Sequence, residues 1–232
     1  MASAIIAAAG SGTRMGSARP KQYLELGGLP VLSRTLMVFD AHPEIDCIFL
    51  VVSPAEVDFC RETVLSNRGW NKEILLVPGG KERQDSVYKG LKAAFEKMGG
   101  AGIVLVHDGV RPFVSHELIT ACIRGAVESG ACIPGIPATD TIKQADSEGF
   151  VRGTVSRENI WLAQTPQAFS MELILAGFEH AMASNAVLTD DAAIMEMYGR
   201  PVRIVPGSRN NIKITTPEDL LFAAALLERA GK

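Results

Sequence analysis

No apolar run in this chain approaches the roughly 18 residues needed to cross a bilayer, and neither sign of charge is in excess: 23 Lys and Arg stand against 26 Asp and Glu, a net charge of −3. The first absence excludes a helical membrane span. The second argues against a general binder of nucleic acid or membrane surfaces, either of which would need a basic face. Cations that matter must act locally. Cysteine is sparse too: Cys47, Cys60, Cys122 and Cys132 include no C-x-x-C pair and no tight cluster with histidine, so they read as small buried thiols of a cytosolic protein. The opening Met-Ala-Ser-Ala-Ile-Ile-Ala-Ala-Ala lacks the basic n-region of a signal peptide. No internal repeat, low-complexity run or long linker interrupts residues 1–232, which read as a single domain. A chain of this size buries roughly 70% of the surface its unfolded form exposes, so no metal or disulfide staple is required.

What the chain concentrates is small and cationic residues, directly after the apolar run Ala4-Ile5-Ile6. Between Ala7 and Gln22 it carries Gly10, Gly12 and Gly16, the hydroxyls of Ser11 and Thr13, and the cations Arg14, Arg19 and Lys21. Glycine lets consecutive backbone N–H groups converge on one anion while flanking cations offset its charge, so the stretch reads as a polyphosphate cradle. Two familiar cradles are excluded by spacing. A Walker A loop needs Lys-Ser/Thr directly after its second glycine, whereas Ser17-Ala18 follows Gly16; a dinucleotide fingerprint needs glycine where this chain has Met15. In Arg19-Pro20-Lys21 the proline fixes φ and so limits where the cationic stems point.

Short β-rich apolar runs alternate with segments of helical period, the pattern of an α/β, doubly wound, mostly parallel sheet covered on both faces. Strands are expected at 5–9, 47–52, 73–77, 102–106, 131–136 and 202–205, and helices at 30–41, 54–65, 83–97, 117–127, 171–182, 191–198 and from 217. From Thr139 to Asn159 the composition turns polar, and segments 141–143 and 151–155 flank an Asp-Ser-Glu-Gly turn. That reads as a β-hairpin with little apolar face of its own, which is marginal in water and should lean on something.

Three further places carry chemistry. The turn Pro78-Gly79-Gly80 lies at the carboxyl end of an expected strand, where open sheets bind ligands, although an ordinary βα turn would look the same. His107-Asp108-Gly109 ends the next strand. A carboxylate there is a poor strand residue and a good partner for Mg²⁺ or a ribose hydroxyl, with the phosphate loop expected two strands away. His107 reads as an orienting or packed histidine, since Mg²⁺ prefers oxygen. Lys213 precedes Thr216-Pro217-Glu218-Asp219, a cap, a first-turn proline and acids that open a helix, and a cation beside a helix N-terminus suits a phosphate, although a plain solvated lysine would look the same. No Ser/His/Asp or Cys/His pattern suggests a covalent enzyme, so the inventory fits phosphoryl-type transfer, where positioning and charge stabilisation supply most of the rate.

The motifs also resemble those of a known family. G-S-G-T-R-M-G from Gly10, followed by P-K-Q from Pro20, is similar to the opening signature of the 2-C-methyl-D-erythritol 4-phosphate cytidylyltransferases. H-D-G-V-R-P-F at 107–113, T-D-T-I-K at 139–143, Q-T-P-Q-A-F at 164–169, T-D-D-A at 189–192 and N-I-K-I-T-T-P-E-D at 211–219 continue the resemblance in order. It implies a Rossmann-like nucleotidyltransferase fold and transfer of the cytidylyl group of CTP to 2-C-methyl-D-erythritol 4-phosphate, with release of pyrophosphate and Mg²⁺ as cofactor. It implies nucleotide contacts from Ala8, Ala9, Gly10, Gly12, Thr13, Gly80, Ser86 and Asp108, with Asp108 also on the metal side. The catalytic cations would be Arg14, Lys21, Arg157 and Lys213, and the acceptor contacts Arg111, Thr141, Arg157, Thr165, Thr189 and Lys213. The 139–159 hairpin matches an arm with which two subunits clasp each other, so the resemblance implies a cytoplasmic homodimer in which Arg157 reaches the partner's site. Its partners would be CTP and a polyol phosphate, with no nucleic acid and no membrane. A pentitol (ribitol) phosphate cytidylyltransferase would share most of these motifs and differ in acceptor.

Overall fold

The computed structural model describes residues 1–10, 20–66, 68–184, 186 and 188–230. The expected contacts of Gly12, Thr13 and Arg14 therefore lie outside the described residues. The apolar opening run forms strand β1 (Ala2–Ala8), and the two-residue strands β2 (Glu25–Leu26) and β3 (Leu29–Pro30) lead into helix α1 (Val31–Ala41). Strands and helices then alternate: β4 (Cys47–Val52), α2 (Val57–Cys60), β5 (Glu73–Pro78), α3 (Arg83–Met98), β6 (Ile103–Asp108), α4 (His116–Ser129) and β7 (Ala131–Pro137). The second half holds the hairpin β8 (Ile142–Ala145) and β9 (Val151–Val155), then β10 (Trp161–Ala163), β11 (Gln167–Ser170), α5 (Met171–Ala183), α6 (Asp191–Met197), β12 (Arg203–Pro206) and α7 (Pro217–Ala230).

The main sheet runs β5-β4-β1-β6-β11-β7, and β7 also pairs with β10 and β12. The β5/β4, β4/β1, β1/β6 and β12/β7 pairs are parallel; β11 and β10 are antiparallel to their neighbours. The expected doubly wound, mostly parallel sheet is present, with an antiparallel strand set into it. One expected distance changes. Strand β6 lies directly beside β1 rather than two strands away, so Asp108 pairs in register with Ala7 and its carboxylate borders the glycine stretch.

Strand alternation sorts the core into two layers. Ala4, Ile6, Ile48, Leu50 and Leu105 face α1 and α4, against Leu36, Phe39, Ile119 and Cys122; Ile5, Phe49, Val51, Val104 and Val106 face the other way, against Leu91 of α3 and Ile174 and Phe178 of α5. Burial on both faces explains why β4 is apolar without interruption. Local signals end the helices. Ser115 caps α4 by accepting from the Leu118 N–H, and Gly130 closes it at φ 83°, a left-handed position that favours glycine. The 54–65 segment is less regular than its pattern suggests: a 3-10 turn enters α2, and a wide turn leaves it through a bond from the Ser66 N–H to the Arg61 carbonyl, 2.9 Å long.

Strands β8 and β9 form a two-stranded sheet of their own. Apolar side chains on this hairpin stay in solvent: Phe150, just before β9, and Val151, which opens it, are 66% and 61% exposed.

Candidate active site

A cleft of about 350 Å³ opens at the carboxyl ends of β1, β5 and β6. Ala8, Ala9, Gly10, Lys21, Gly80, Ser86, Asp108 and Lys213, named from the sequence, all line it. Among the described lining residues the cations Lys21, Lys81, Arg83 and Lys213 outnumber the carboxylates Glu82 and Asp108, a balance that suits a polyanion.

The glycine stretch is held at its base by Gln22, which is buried. Its amide Nε2 donates to the Ala8 carbonyl at 2.9 Å, the Gly10 carbonyl at 3.3 Å and Glu56 at 3.2 Å. The Pro-Lys-Gln motif thus places Lys21 at the cleft by anchoring its neighbour. On the far side, the Gly80 N–H donates to Ser86 Oγ at 3.0 Å, which itself donates to the Glu82 carbonyl at 3.0 Å. A side chain at Gly79 would come within 2.8 Å of Ala9 Cβ and of Ser86 Oγ. Close approach of the two loops therefore needs glycine there.

Asp108 is buried among cations. Lys213 Nζ lies 2.9 Å from Oδ2, Arg111 Nε 3.3 Å from the same oxygen, and Arg83 Nε 3.7 Å from Oδ1. Burial alone would raise its pKa, but Lys213, Arg83 and Arg111 outweigh it and hold the carboxyl well below the usual range. The loop carrying Lys213 is stitched in place: the Ile214 N–H donates to the Val110 carbonyl at 2.9 Å, and Arg111 Nη1 to the Asn211 carbonyl at 2.8 Å.

The Q-T-P-Q-A-F segment holds three pieces together. Gln164 bonds Ser208 through its amide Nε2 and its Oε1, at 2.8 and 3.1 Å. Thr165 Oγ1 accepts from the Asp108 N–H at 3.1 Å and donates to His107 Nδ1 at 3.0 Å, so its hydroxyl is engaged within the fold. Gln167 Oε1 accepts from the N–H groups of Asp191 and Ala192. His107 is wholly buried, with Nε2 donating to the Arg111 carbonyl at 3.1 Å, the packed role expected of it.

Arg111 abuts the cleft through Asp108, whereas Thr141, Arg157 and Thr189 are not among its lining residues. Thr141 and Arg157 are exposed at the base of the hairpin, where Arg157 Nη1 donates to the Thr139 carbonyl. Arg83 was not legible as a site residue. It lines the cleft, and its guanidinium is held charged, against the effect of burial, by Asp191 and Asp108.

Among the described residues no group of three or more His, Cys, Asp or Glu could hold a metal alone. Mg²⁺, however, commonly uses one or two carboxylates and takes its other ligands from substrate phosphates and water. Asp108 fits that pattern.

Comparison with known proteins converges on one family. The family model "IspD: 2-C-methyl-D-erythritol 4-phosphate cytidylyltransferase" matches residues 2–229. Curated relatives of that name include a Geobacter metallireducens protein, 47% identical over 97% of each chain, and a Pelotomaculum thermopropionicum protein, 46% identical over 99% of this chain and 95% of its own. The crystal structure of 4-diphosphocytidyl-2C-methyl-D-erythritol synthase from Anaerococcus prevotii superposes with a TM-score of 0.85 at 39% identity, covering 99% of this chain and 96% of that one. The cleft, its motifs and these relatives agree: the chain belongs to the 2-C-methyl-D-erythritol 4-phosphate cytidylyltransferase family.

Proposed function

We infer that this chain transfers the cytidylyl group of CTP to 2-C-methyl-D-erythritol 4-phosphate, releasing pyrophosphate and forming 4-diphosphocytidyl-2-C-methyl-D-erythritol. The observation that carries the reading is the cleft itself, which joins a glycine stretch, a second glycine turn and an ionised carboxylate ringed by cations. An oxygen of the acceptor's phosphate attacks the α-phosphorus, and the bond from that phosphorus to the β-phosphate's bridging oxygen breaks. A phosphate monoester has a second pKa of ~6, so the attacking oxygen is already largely ionised at neutral pH and needs no general base. Repulsion between two anions is the obstacle.

Lys21 and Arg14 take the triphosphate side of that charge, Lys21 from the cleft wall. Ala8, Ala9 and Gly10 leave room for the nucleotide beside them, and Gly80 and Ser86 form the wall for the base. Asp108 would hold a divalent cation carried in with the nucleotide, which when bound offsets charge on the phosphate oxygens. Lys213 then faces the acceptor's phosphate from the cleft wall, with Arg111 and Thr165 holding Asp108 in place and the hydroxyls of Thr189 and Thr141 reaching the acceptor from outside the cleft lining. The 139–159 segment serves as a dimer arm within a single catalytic domain, and Arg157 acts in the partner's site. Exposed Phe150 and Val151 support this, because apolar side chains on a two-stranded hairpin gain burial only against another surface. Four free, buried cysteines suit the reducing cytoplasm.

Pyrophosphate release, measured with each of the four ribonucleoside triphosphates and with either methylerythritol phosphate or ribitol phosphate, tests the reading. CTP with methylerythritol phosphate should dominate. Equal turnover with UTP would remove the base assignment, and preference for ribitol phosphate would change the acceptor.

A further inference from the structure

Arg83 is used by nothing in the chemistry above, yet it is gripped from two directions. Its Nη1 and Nη2 donate to the two carboxylate oxygens of Asp191 at 3.0 and 2.7 Å, a planar fork on an acid that is 1% exposed. Its Nε stands 3.7 Å from Asp108. Both ends of this bridge are fixed. Arg83 opens α3, whose first turn is locked by the reciprocal capping of Glu82 and Asp85. Asp191 opens α6, whose N–H groups are capped by Gln167 Oε1 at 3.1 and 2.9 Å and by Asp190 Oδ1 at 3.1 Å, while Gln167 Nε2 ties back to Asp190 at 2.7 Å. Gln167 itself sits on β11 opposite Val106, two positions before Asp108 on β6. The chain of contacts closes on itself, from β6 through β11 and α6 to Arg83 and back to Asp108.

We propose that Arg83 is a positioning residue for cytidylyl transfer: anchored by Asp191, it fixes the Asp108 carboxylate and the Gly80–Ser86 turn relative to one another. The assignment rests on the transfer reading above. If stability alone were at stake, an apolar pair of similar volume would serve as well as a buried ion pair. What an apolar pair lacks is a positive charge 3.7 Å from a carboxylate of the cleft. Lysine could not replace the arginine, since one ammonium cannot grip both oxygens of Asp191 and still face Asp108.

The test uses the full chain and three variants: Asp191→Asn, Arg83→Lys and the double. For each, kcat is measured at saturating substrates, CTP affinity and stoichiometry by calorimetry, and stability by thermal melting. Asp191 is not a lining residue of the cleft, so a loss on changing it reports position. Each single variant should lose about tenfold or more in kcat per CTP-binding site while the CTP dissociation constant moves less than about threefold. The double should be no slower than the slower single, because the two residues act as one unit. If one variant fails to fold, the other carries the same comparison. Wild-type kcat per CTP-binding site, with only a lowered melting temperature, would make the bridge structural and overturn the proposal; so would additive losses in the double. A wild-type chain that releases no pyrophosphate overturns the transfer reading instead.

Discussion

His107 is the point in the site where burial decides protonation. With no exposed surface it is pushed down from its ordinary 6.5 to about 4, burial being the leading cause, and its hydrogen bonds need the neutral ring: Nδ1 accepts from Thr165 and Nε2 donates to the Arg111 carbonyl. His42 is likewise lowered by burial, with Nδ1 accepting from the Glu44 N–H. Folded values below the unfolded value mean that the unfolded chain binds more protons as the solution acidifies, so stability is full above about pH 6.5 and is lost as pH falls toward 4. The slope is at most about 1.4 kcal/mol per pH unit for each such histidine. Urea unfolding between pH 7 and pH 5 should show the unfolding free energy falling with pH, and a flat profile would mean that these rings are protonated in the folded chain. Because His107 and Asp108 share Thr165, acid should loosen the reaction centre as it loosens the fold.

At the scale of elements, the turn between β5 and α3 packs against the glycine stretch, and Gly79 is the contact. A methyl group there would meet Ala9 Cβ and Ser86 Oγ at 2.8 Å and the Val52 carbonyl at 3.2 Å. Gly79→Ala should therefore force the loops apart, raising the KM for CTP by about tenfold and costing about 1–3 kcal/mol of stability, read from steady-state kinetics and denaturant midpoints. An unchanged KM would show that the loops are not in register for the nucleotide. The sequence was explicit about such places because a βα turn and a buried strand have local signatures. Strand β4, apolar on both faces, and helix α4, with its serine cap and glycine stop, could be read directly. Strands β10 and β11 could not, since segments of three and four residues carry no periodicity and their partners β6 and β7 lie far off in the chain. Arg83 stayed hidden for the same reason, its partner Asp191 being 108 residues away. The one available signal was the paired acid at 190–191, since a single N-cap needs only the first of them.

At the scale of the whole molecule, the proposed dimer arm would make the site a shared property of two chains. In a heterodimer of Lys21→Ala and Arg157→Ala subunits, one site would carry both defects and the other neither. Random exchange of equal amounts makes about half the dimers mixed, so activity should recover to roughly a quarter of wild type, while either variant alone stays nearly inactive. If demonstrated subunit exchange restores nothing, Arg157 serves its own chain. The cleft obeys a different constraint. Asp108, the glycine stretch and the Gly79-Gly80 turn sit at the tips of β6, β1 and β5, and β6-β1-β4-β5 are consecutive neighbours in the sheet. Strands stand about 4.8 Å apart, so the tips of β6 and β5 are separated by roughly 14 Å of hydrogen-bonded ladder. The sheet is thus a calliper: its span is set by peptide groups, and a side chain such as the one Gly79 lacks can shift only the loops at its jaws.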